Sequence, residues 1–300
     1  MARIGRLLTA MVTPFDDAGR VDYARARQLA ELLVASGSEG LVVAGTTGEG
    51  PTLTREEKLR LFGEVREAVG DRVAVIAGTC NYNTAESIEL SREAMRVGVT
   101  GILGTVPYYN KPPQEGLYQH FKAIAEAVPL PLILYNVPSR TVTNLLPETT
   151  VRLSAIDNIV GVKEASGNLA AIAKILEGAG PDFLVWSGND EDTLPLLAIG
   201  GYGVVSVTSH LVGRQLATMI ERFLAGDVAE AARIHRRLLP LTAACFVTTN
   251  PIPLKYALAR VGFPVGAPRL PLVPLDEAGR AVVDRALADI TIDLPVPTRA

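Results

Sequence analysis

The sequence predicts a closed (β/α)8 barrel, the TIM barrel fold, followed by a C-terminal helical extension. Three observations support this prediction. Short apolar segments alternate with helical segments eight times within residues 1–225. No linker-like composition interrupts the alternation, and three further helical segments follow it. Strands that alternate with helices form a parallel sheet, and eight such units are the number that closes a barrel.

The eight strands are predicted from apolar runs that are typical of strands buried on both faces. In chain order they are Leu7–Val12, Gly40–Ala44, Val73–Ala77, Ile102–Val106, Pro131–Tyr135, Ile159–Lys163, Phe183–Trp186 and Gly203–Val207. Pro131 occupies the first position of its strand, where proline is tolerated.

Helices are predicted between the strands from amphipathic spacing and capping residues. In chain order they are Asp22–Ser36, Thr54–Val69, Thr84–Val97, Gln114–Val128, Pro147–Ala155, Asn168–Gly178, Glu191–Ile199 and Gly213–Leu224. Thr54 and Glu57 have capping-box spacing. Pro147 lies near the first helical position, which suits proline.

We expect two parts, a barrel in residues 1–225 and a helical extension in residues 226–300. The extension is predicted to contain helices Val228–Phe246, Ile252–Arg260 and Asp276–Asp289. The alternative is an open doubly wound sheet, which would show fewer units and a glycine-rich dinucleotide loop. Gly201-Tyr202-Gly203 is not such a loop, because it precedes a strand.

The composition excludes several classes of function. The 300 residues carry a net charge of −3, so neither nucleic acid nor a membrane surface is an expected partner. Cys80 and Cys245 are far apart and only three histidines are present, so neither a disulfide framework nor a metal site is expected. The N-terminus shows no signal-peptide pattern and leads directly into a strand, so we expect a cytoplasmic protein.

Lys163 is the main candidate for chemistry, because it ends an apolar strand. Strand alternation would place Ile159, Gly161 and Lys163 on one face, with Gly161 leaving room beside the lysine stem. Burial disfavours the ammonium form, and a neutral amine can attack a ketone and form a Schiff base. The alternative is a structural lysine whose ammonium group extends to water.

Other polar residues follow the predicted strand ends, where barrel enzymes keep their sites. Thr46 and Thr47 are flanked by glycines, and two hydroxyls with nearby backbone N–H donors would suit a carboxylate; an ordinary turn is the alternative. Tyr135 would lie beside Lys163 and could transfer protons, or it could simply pack. Arg140 could bind a carboxylate or lie in solvent.

The motifs resemble those of the dihydrodipicolinate synthase / N-acetylneuraminate lyase family of Schiff-base aldolases, in its dihydrodipicolinate synthase branch. The resemblance covers about Leu8 to Leu275. It rests on G-T-T-G-E (45–49), P-Y-Y-N-K-P (107–112), Y-N-V-P-S-R-T (135–141), G-V-K-E-A-S-G (161–167) and R-L-P-L-V-P-L (269–275). Several long motifs in the right order are more specific than any one of them.

The resemblance implies roles for the matching residues. Lys163 would form an imine with pyruvate, and Tyr135 would transfer protons through Thr46 to Tyr109. In this family that last tyrosine enters from a neighbouring subunit, which implies a homodimer or homotetramer. Cofactors are not expected, because the lysine imine is itself the electron sink.

Further positions would bind the substrates. Thr47, Gly188 and the backbone at Val205 would hold pyruvate. Arg140 would bind the carboxylate of aspartate semialdehyde, the second substrate. The reaction would lead to diaminopimelate and lysine.

Several positions depart from the family pattern. Arg55 and Lys58 stand where feedback-sensitive members carry neutral ligands for lysine, which predicts weak or absent lysine inhibition. Val106, Asn189 and Cys80 also differ, and Cys80 is expected to be a buried, inert thiol.

Two alternative functions follow from the same residues. One is another pyruvate aldolase, a 2-keto-3-deoxy-sugar-acid aldolase or N-acetylneuraminate lyase. Arg140 argues against it, because an acidic aldehyde needs a cation there and a sugar needs neutral partners. The other is a catalytically inactive pyruvate or amino-acid sensor, against which the retained Lys163, Tyr135, Thr46 and Tyr109 argue.

Overall fold

The computed structural model describes residues 4–296 of the chain. Residues 1–3 of the predicted barrel and residues 297–300 of the predicted extension lie outside the described residues. Eight parallel strands form a closed barrel in the order β1 to β8, which confirms the predicted fold class. The barrel closes between its first and last strands, where Leu8 is opposite Val205.

The strands lie within about two residues of their predicted ends. They are β1 Leu7–Ala10, β2 Gly40–Val43, β3 Ala74–Gly78, β4 Gly101–Thr105, β5 Leu132–Asn136, β6 Ile159–Glu164, β7 Leu184–Ser187 and β8 Gly203–Ser206. Hydrogen bonds between neighbouring strands determine these ends, and an apolar run alone does not show where such pairing stops.

Helices surround the barrel and continue after it. They are α1 Tyr23–Ala35, α2 Arg55–Val69, α3 Thr84–Arg96, α4 Gln114–Ala127, α5 Pro138–Thr141, α6 Pro147–Ser154, α7 Leu169–Gly178, α8 Thr193–Ala198, α9 Ser209–Leu224, α10 Val228–Cys245, α11 Ile252–Arg260 and α12 Glu277–Ala288. The predicted capping box at α2 is confirmed: the Thr54 hydroxyl accepts from the Glu57 N–H at 3.2 Å, and the Glu57 carboxylate accepts from the Thr54 N–H at 3.0 Å.

Three helical segments differ from the prediction. The predicted helix Glu191–Ile199 is a 3₁₀ turn at Asp190–Asp192 followed by the short α8. The Asp190 carboxylate accepts backbone N–H groups after β8, so tertiary contacts determine this turn. Helix α9 begins before its predicted start and is kinked at Val212. Helix α5 was not predicted, because a single turn has no periodicity.

The apolar residues form two layers. The larger layer lies between the strands and the helices. The smaller layer fills the barrel, and Tyr135, Ile133 and Trp186 belong to it. The Trp186 indole is fully buried and donates to the carbonyl of Gly5 at 3.0 Å. The barrel is therefore a packed core with its polar residues at the strand ends, as this fold requires.

The helices after the barrel pack against it and against one another. Helix α10 lies on α9, and α12 lies on α10 and α11. Within residues 4–296, no helix has the length and apolar character needed to span a bilayer.

Candidate active site

Lys163 and Tyr135 form the centre of the candidate site. They are opposite each other in the paired strands β6 and β5. Their exposed fractions are 6% and 5%, so both side chains are buried. The Lys163 Nζ lies 4.2 Å from the centre of the Tyr135 ring. The predicted proximity of the amine to the tyrosine ring is confirmed, and these groups could form an imine and move protons.

The predicted alternation along β6 is wrong at its first residue. Ile159 packs in the layer between strands and helices, whereas Val160 packs against the barrel interior. The cause is a register shift between β5 and β6. An extra residue in a strand changes the face on which the side chains before it lie. Lys163 lies beyond this shift.

The glycine beside the lysine stem is Gly188, not Gly161 as predicted. A Cβ atom at Gly188 would lie 2.6 Å from the Ala165 Cβ and 3.1 Å from the Lys163 Cε. At Gly161 a Cβ atom would instead meet the carbonyl oxygen of Leu184 at 2.1 Å. Gly188 is therefore the position where any side chain would narrow the space around the amine.

The loop Gly45–Gly50 carries Thr46 and Thr47 after β2. The loop is closed by its own backbone: the Glu49 N–H donates to the Thr46 carbonyl at 3.0 Å, and the Gly50 N–H donates to the Gly45 carbonyl at 3.0 Å. These two N–H groups are already used, so they are not the donors expected for a carboxylate. Thr47 is 4% exposed, and its hydroxyl accepts from the Asn250 side chain at 2.8 Å.

Arg140 and Tyr109 are exposed in the single chain. Arg140 lies in the one-turn helix α5, which follows β5 directly. Tyr109 is 89% exposed and adopts a left-handed backbone conformation with φ of 70°. Val205 is buried in the barrel interior at the end of β8, 1% exposed. The strands thus hold Lys163, Tyr135 and Val205 in the interior, whereas Arg140 in α5 and Tyr109 in the loop after β4 lie at the surface.

Asn136 and Glu164 were not predicted as site residues, yet they connect β5 to β6 directly behind the lysine. The Asn136 amide nitrogen lies 3.0 Å from the Glu164 Oε2 and 2.8 Å from the Asn144 Oδ1. The Glu164 Oε1 accepts the Ser166 N–H at 2.7 Å. Burial raises the pKa of Glu164. The sequence signal that could have identified Glu164 is its position directly after Lys163, as an acidic residue at the end of an apolar strand.

Two residues beyond the barrel were also missed. Asn250 contacts Thr47, as described above, and Lys255 of α11 pairs with Glu49 at 2.6 Å. Neither contact could be predicted from local sequence patterns, because more than two hundred residues separate the two partners of each pair.

Within residues 4–296, Cys80 and the possible metal ligands do not form a second site. Cys80 is half-buried, not fully buried as expected, and burial of its thiol raises the pKa to about 12, which fits an inert thiol. Among the described residues, no group of three or more His, Cys, Asp or Glu side chains is arranged to hold a metal ion.

A closed barrel with a buried lysine at the ends of its strands defines a class of (β/α)8 proteins suited to imine chemistry. Residues 3–290 match the family model described as the dihydrodipicolinate synthetase family. A protein of Dehalococcoides mccartyi named 4-hydroxy-tetrahydrodipicolinate synthase is 58% identical over 296 residues, which are 99% of this chain and 100% of the relative. The chain belongs to the dihydrodipicolinate synthetase family.

Solved structures agree with this assignment. The dihydrodipicolinate synthase of Bacillus anthracis has a TM-score of 0.95 at 47% identity, covering 97% of this chain and 99% of that one. The lysine-bound dihydrodipicolinate synthase of Cyanidioschyzon merolae has a TM-score of 0.94 at 47% identity, covering 95% of this chain and 98% of that one.

Proposed function

We propose that this chain catalyses the 4-hydroxy-tetrahydrodipicolinate synthase reaction, the condensation of pyruvate with aspartate 4-semialdehyde through a lysine Schiff base. The observation that carries the proposal is the buried Lys163 amine against the Tyr135 ring in the barrel. It occurs in a chain that matches relatives of that name over its full length.

The first step joins pyruvate to the enzyme. The Lys163 nitrogen attacks the ketone carbon of pyruvate, and the carbinolamine loses water to give an iminium ion. The water oxygen comes from the ketone and must receive protons. Tyr135 is the proton donor that we propose, because it is opposite Lys163 in the paired strand and the amine lies over its ring.

The second step forms the carbon–carbon bond. The phenolate that Tyr135 becomes in the first step takes a methyl proton, which converts the iminium ion to an enamine. The enamine carbon attacks the aldehyde of the second substrate, and the aldehyde oxygen takes up a proton to become a hydroxyl group. The amino group of that substrate then attacks the imine carbon, which closes the ring and releases the Lys163 amine. The cycle involves no net oxidation or reduction and regenerates the Lys163 amine, so the two substrates, the cyclic product and one released water balance.

Substrate binding is assigned to the residues around this pair. We assign Thr47, Gly188 and the backbone of Val205 to pyruvate. The support is that Thr47 is held by Asn250, and Gly188 leaves space beside the Lys163 stem. We assign Arg140 to the carboxylate of the aldehyde substrate, since its side chain is exposed and a guanidinium group can bind a carboxylate bidentately.

Proton transfer beyond Tyr135 is assigned to Thr46 and Tyr109. Tyr109 is 89% exposed in the single chain, as expected for a side chain that enters a neighbouring subunit. We therefore propose a homo-oligomer, at least a dimer, in which Tyr109 of each subunit completes the partner's site. A cytoplasmic location fits a biosynthetic enzyme of this kind.

The test is a comparison of aldehydes with pyruvate as the fixed substrate. We expect kcat/KM for aspartate 4-semialdehyde to exceed that for sugar aldehydes, with formation of the cyclic product. A preference for a sugar aldehyde would instead assign the chain to the sugar-acid aldolases. Absence of an imine with pyruvate would leave only a binding function.

A further inference from the structure

A buried ion pair joins the helices after the barrel to the loop Gly45–Gly50. The Lys255 Nζ of α11 lies 2.6 Å from the Glu49 Oε1, and the two side chains are 2% and 0% exposed. The same nitrogen lies 4.1 Å from the centre of the Phe15 ring. Water is therefore excluded from this pair, and removing one partner would leave the other buried.

Each oxygen of the Glu49 carboxylate faces a group of the segment after the barrel, and the contact of Oε1 with Lys255 is an ion pair without hydrogen-bond geometry. Its Oε2 accepts the backbone N–H of Arg269 at 2.8 Å, and the Arg269 guanidinium donates to the Thr52 carbonyl at 2.9 Å. Asn250, just before α11, donates to the Thr47 hydroxyl at 2.8 Å. The segment after the barrel therefore contacts the loop at Thr47 and Glu49, and it also contacts Thr52 just after the loop.

The loop backbone needs this support. Ala44 and Glu49, at its two ends, adopt left-handed conformations with φ of 53° and 54°. Residues with a side chain rarely adopt this conformation, and they keep it only where the surroundings enforce it. Glu49 is held there by the contacts of its own carboxylate. Releasing that carboxylate would free the backbone next to Thr46 and Thr47.

We propose that Lys255, through Glu49, and Asn250, through Thr47, are positioning residues that hold the threonine loop in the conformation that binds pyruvate. This inference rests on the proposed function of the site. It makes the region after the barrel part of the pyruvate-binding apparatus, although none of its residues is proposed to contact substrate.

A purely stabilising role would leave a different signature. A buried ion pair is weak evidence for stability, because well-packed neutral side chains often replace such a pair without loss. A pair that determines geometry, in contrast, cannot be replaced by neutral side chains without loss of function. The stabilising role and the positioning role can therefore be separated by a double variant. Such a variant removes both charges, which restores stability, but it does not restore the contact between residues 49 and 255.

The experiment compares Lys255→Met, the double variant Glu49→Gln/Lys255→Met and Asn250→Ala. The matched control is Arg260→Met. This variant breaks the exposed ion pair between Arg260 of α11, the helix that carries Lys255, and Asp284 of α12. For each variant, the melting temperature and the kcat and KM for pyruvate are measured at saturating aspartate semialdehyde.

We expect Lys255→Met to lower the melting temperature, because it leaves Glu49 buried without its cation, and the double variant to recover it. The KM for pyruvate should rise about ten- to hundredfold in the double variant and in Asn250→Ala, since a small misplacement is costly, and kcat should fall less, through Thr46 of the same loop. The control should keep the wild-type KM.

A double variant that recovers both the melting temperature and the pyruvate KM would overturn the positioning role, and so would an unchanged KM in Asn250→Ala. If Lys255→Met does not fold, the KM values of the double variant and of Asn250→Ala test the positioning role. Borohydride trapping of the wild-type enzyme with pyruvate is done first. A missing adduct contradicts the proposed function and this inference together, whereas an adduct with unchanged variant KM contradicts the inference alone.

Discussion

Two lysines of this chain are almost equally buried, yet their surroundings differ. Lys163 in β6 and Lys255 in α11 are 6% and 3% exposed. Each nitrogen lies over an aromatic ring, 4.2 Å from Tyr135 and 4.1 Å from Phe15. Lys255 has the Glu49 carboxylate at 2.6 Å, whereas the ion pairs found within residues 4–296 do not include Lys163.

The difference teaches that burial alone does not make a lysine a nucleophile. Burial lowers the pKa of Lys255, and the Glu49 carboxylate opposes this effect by favouring the ammonium form. An ammonium group held by a carboxylate has no lone pair to attack a ketone. Lys163 instead lies over the Tyr135 ring, and within residues 4–296 no carboxylate is at ion-pair distance, so no ion pair has to break before a covalent bond forms.

Removal of the Lys163 amine should have the largest effect. We expect Lys163→Met to lower kcat by about a thousandfold or more, because the covalent route is lost. Lys255→Met is the comparison, and it should keep most of kcat at saturating pyruvate. Steady-state kinetics of both variants would contradict the distinction if they lost kcat equally while folded.

Tyr135→Phe would give Lys163 the same type of ring that Lys255 has. The ring contact should persist and the melting temperature should change little, but proton transfer would lose its donor. We expect kcat to fall about a hundredfold. Wild-type kcat in this variant would show that another group carries the proton.

Arg140 and Arg269 extend the comparison to cations. Arg269 forms two hydrogen bonds with Glu57 within the chain, at 2.8 and 2.6 Å. Arg140 is proposed to bind a carboxylate of the substrate instead. We expect Arg140→Ala to raise the KM for aspartate semialdehyde about tenfold or more, since a charge-assisted hydrogen bond is lost. The imine with pyruvate should form as in the wild type.

Arg152→Ala is the control for Arg140→Ala, because Arg152 is an exposed arginine of α6 that pairs with Glu115. It should leave both kinetic constants unchanged. An equal loss in both variants would point to a general charge effect.

Acid should destabilise the barrel through His210. Its Nε2 accepts the Val12 N–H at 3.2 Å and its Nδ1–H donates to the Val207 carbonyl at 2.8 Å, so the ring is neutral. Burial lowers the pKa of His210 from 6.5 to about 4. As the pH falls through this window, the unfolded chain binds the proton before the folded protein does.

The free energy of unfolding should therefore decrease by about 3 kcal/mol from this histidine between pH 6.5 and 4, at about 1.4 kcal/mol per pKa unit. Denaturant unfolding of His210→Gln should show a shallower pH dependence than the wild type. His235→Gln is the control, because that ring is only half-buried. Equal slopes in the wild type and His210→Gln would contradict the assignment.

A third lysine, Lys58, should produce the smallest effect. It is partly buried on α2, where burial lowers its pKa and the nearby Glu86 opposes the shift. Arg55 adds a second cation, which pairs with Glu93 at 2.7 Å. Because two cations would repel an incoming ammonium, we expect lysine to inhibit weakly or not at all. Strong inhibition by micromolar lysine would contradict this.

Much of the architecture was predictable from local patterns. The eight apolar runs and the capping box at Thr54 depend on neighbours in sequence, and both were confirmed. The contact between Lys163 and Tyr135 was also predictable, since consecutive barrel strands are paired. These features follow from periodicity and connection order alone.

The remaining features depend on contacts that periodicity does not encode. The shift between β5 and β6 reversed the predicted face of Ile159, and no residue in an apolar run signals such a shift. The pairing of Lys255 with Glu49 joins distant parts of the chain. From the sequence, Lys255 could not be distinguished from other charged helical residues, because its burial and its pairing with Glu49 depend on the tertiary fold.

The most direct measurement of the central claim is to reduce the wild-type enzyme with borohydride in the presence of pyruvate and to map the modified peptide by mass spectrometry. We predict one reduced pyruvate per chain on Lys163, with the peptide of Lys255 unmodified. An adduct on any other lysine, or none, would contradict the account.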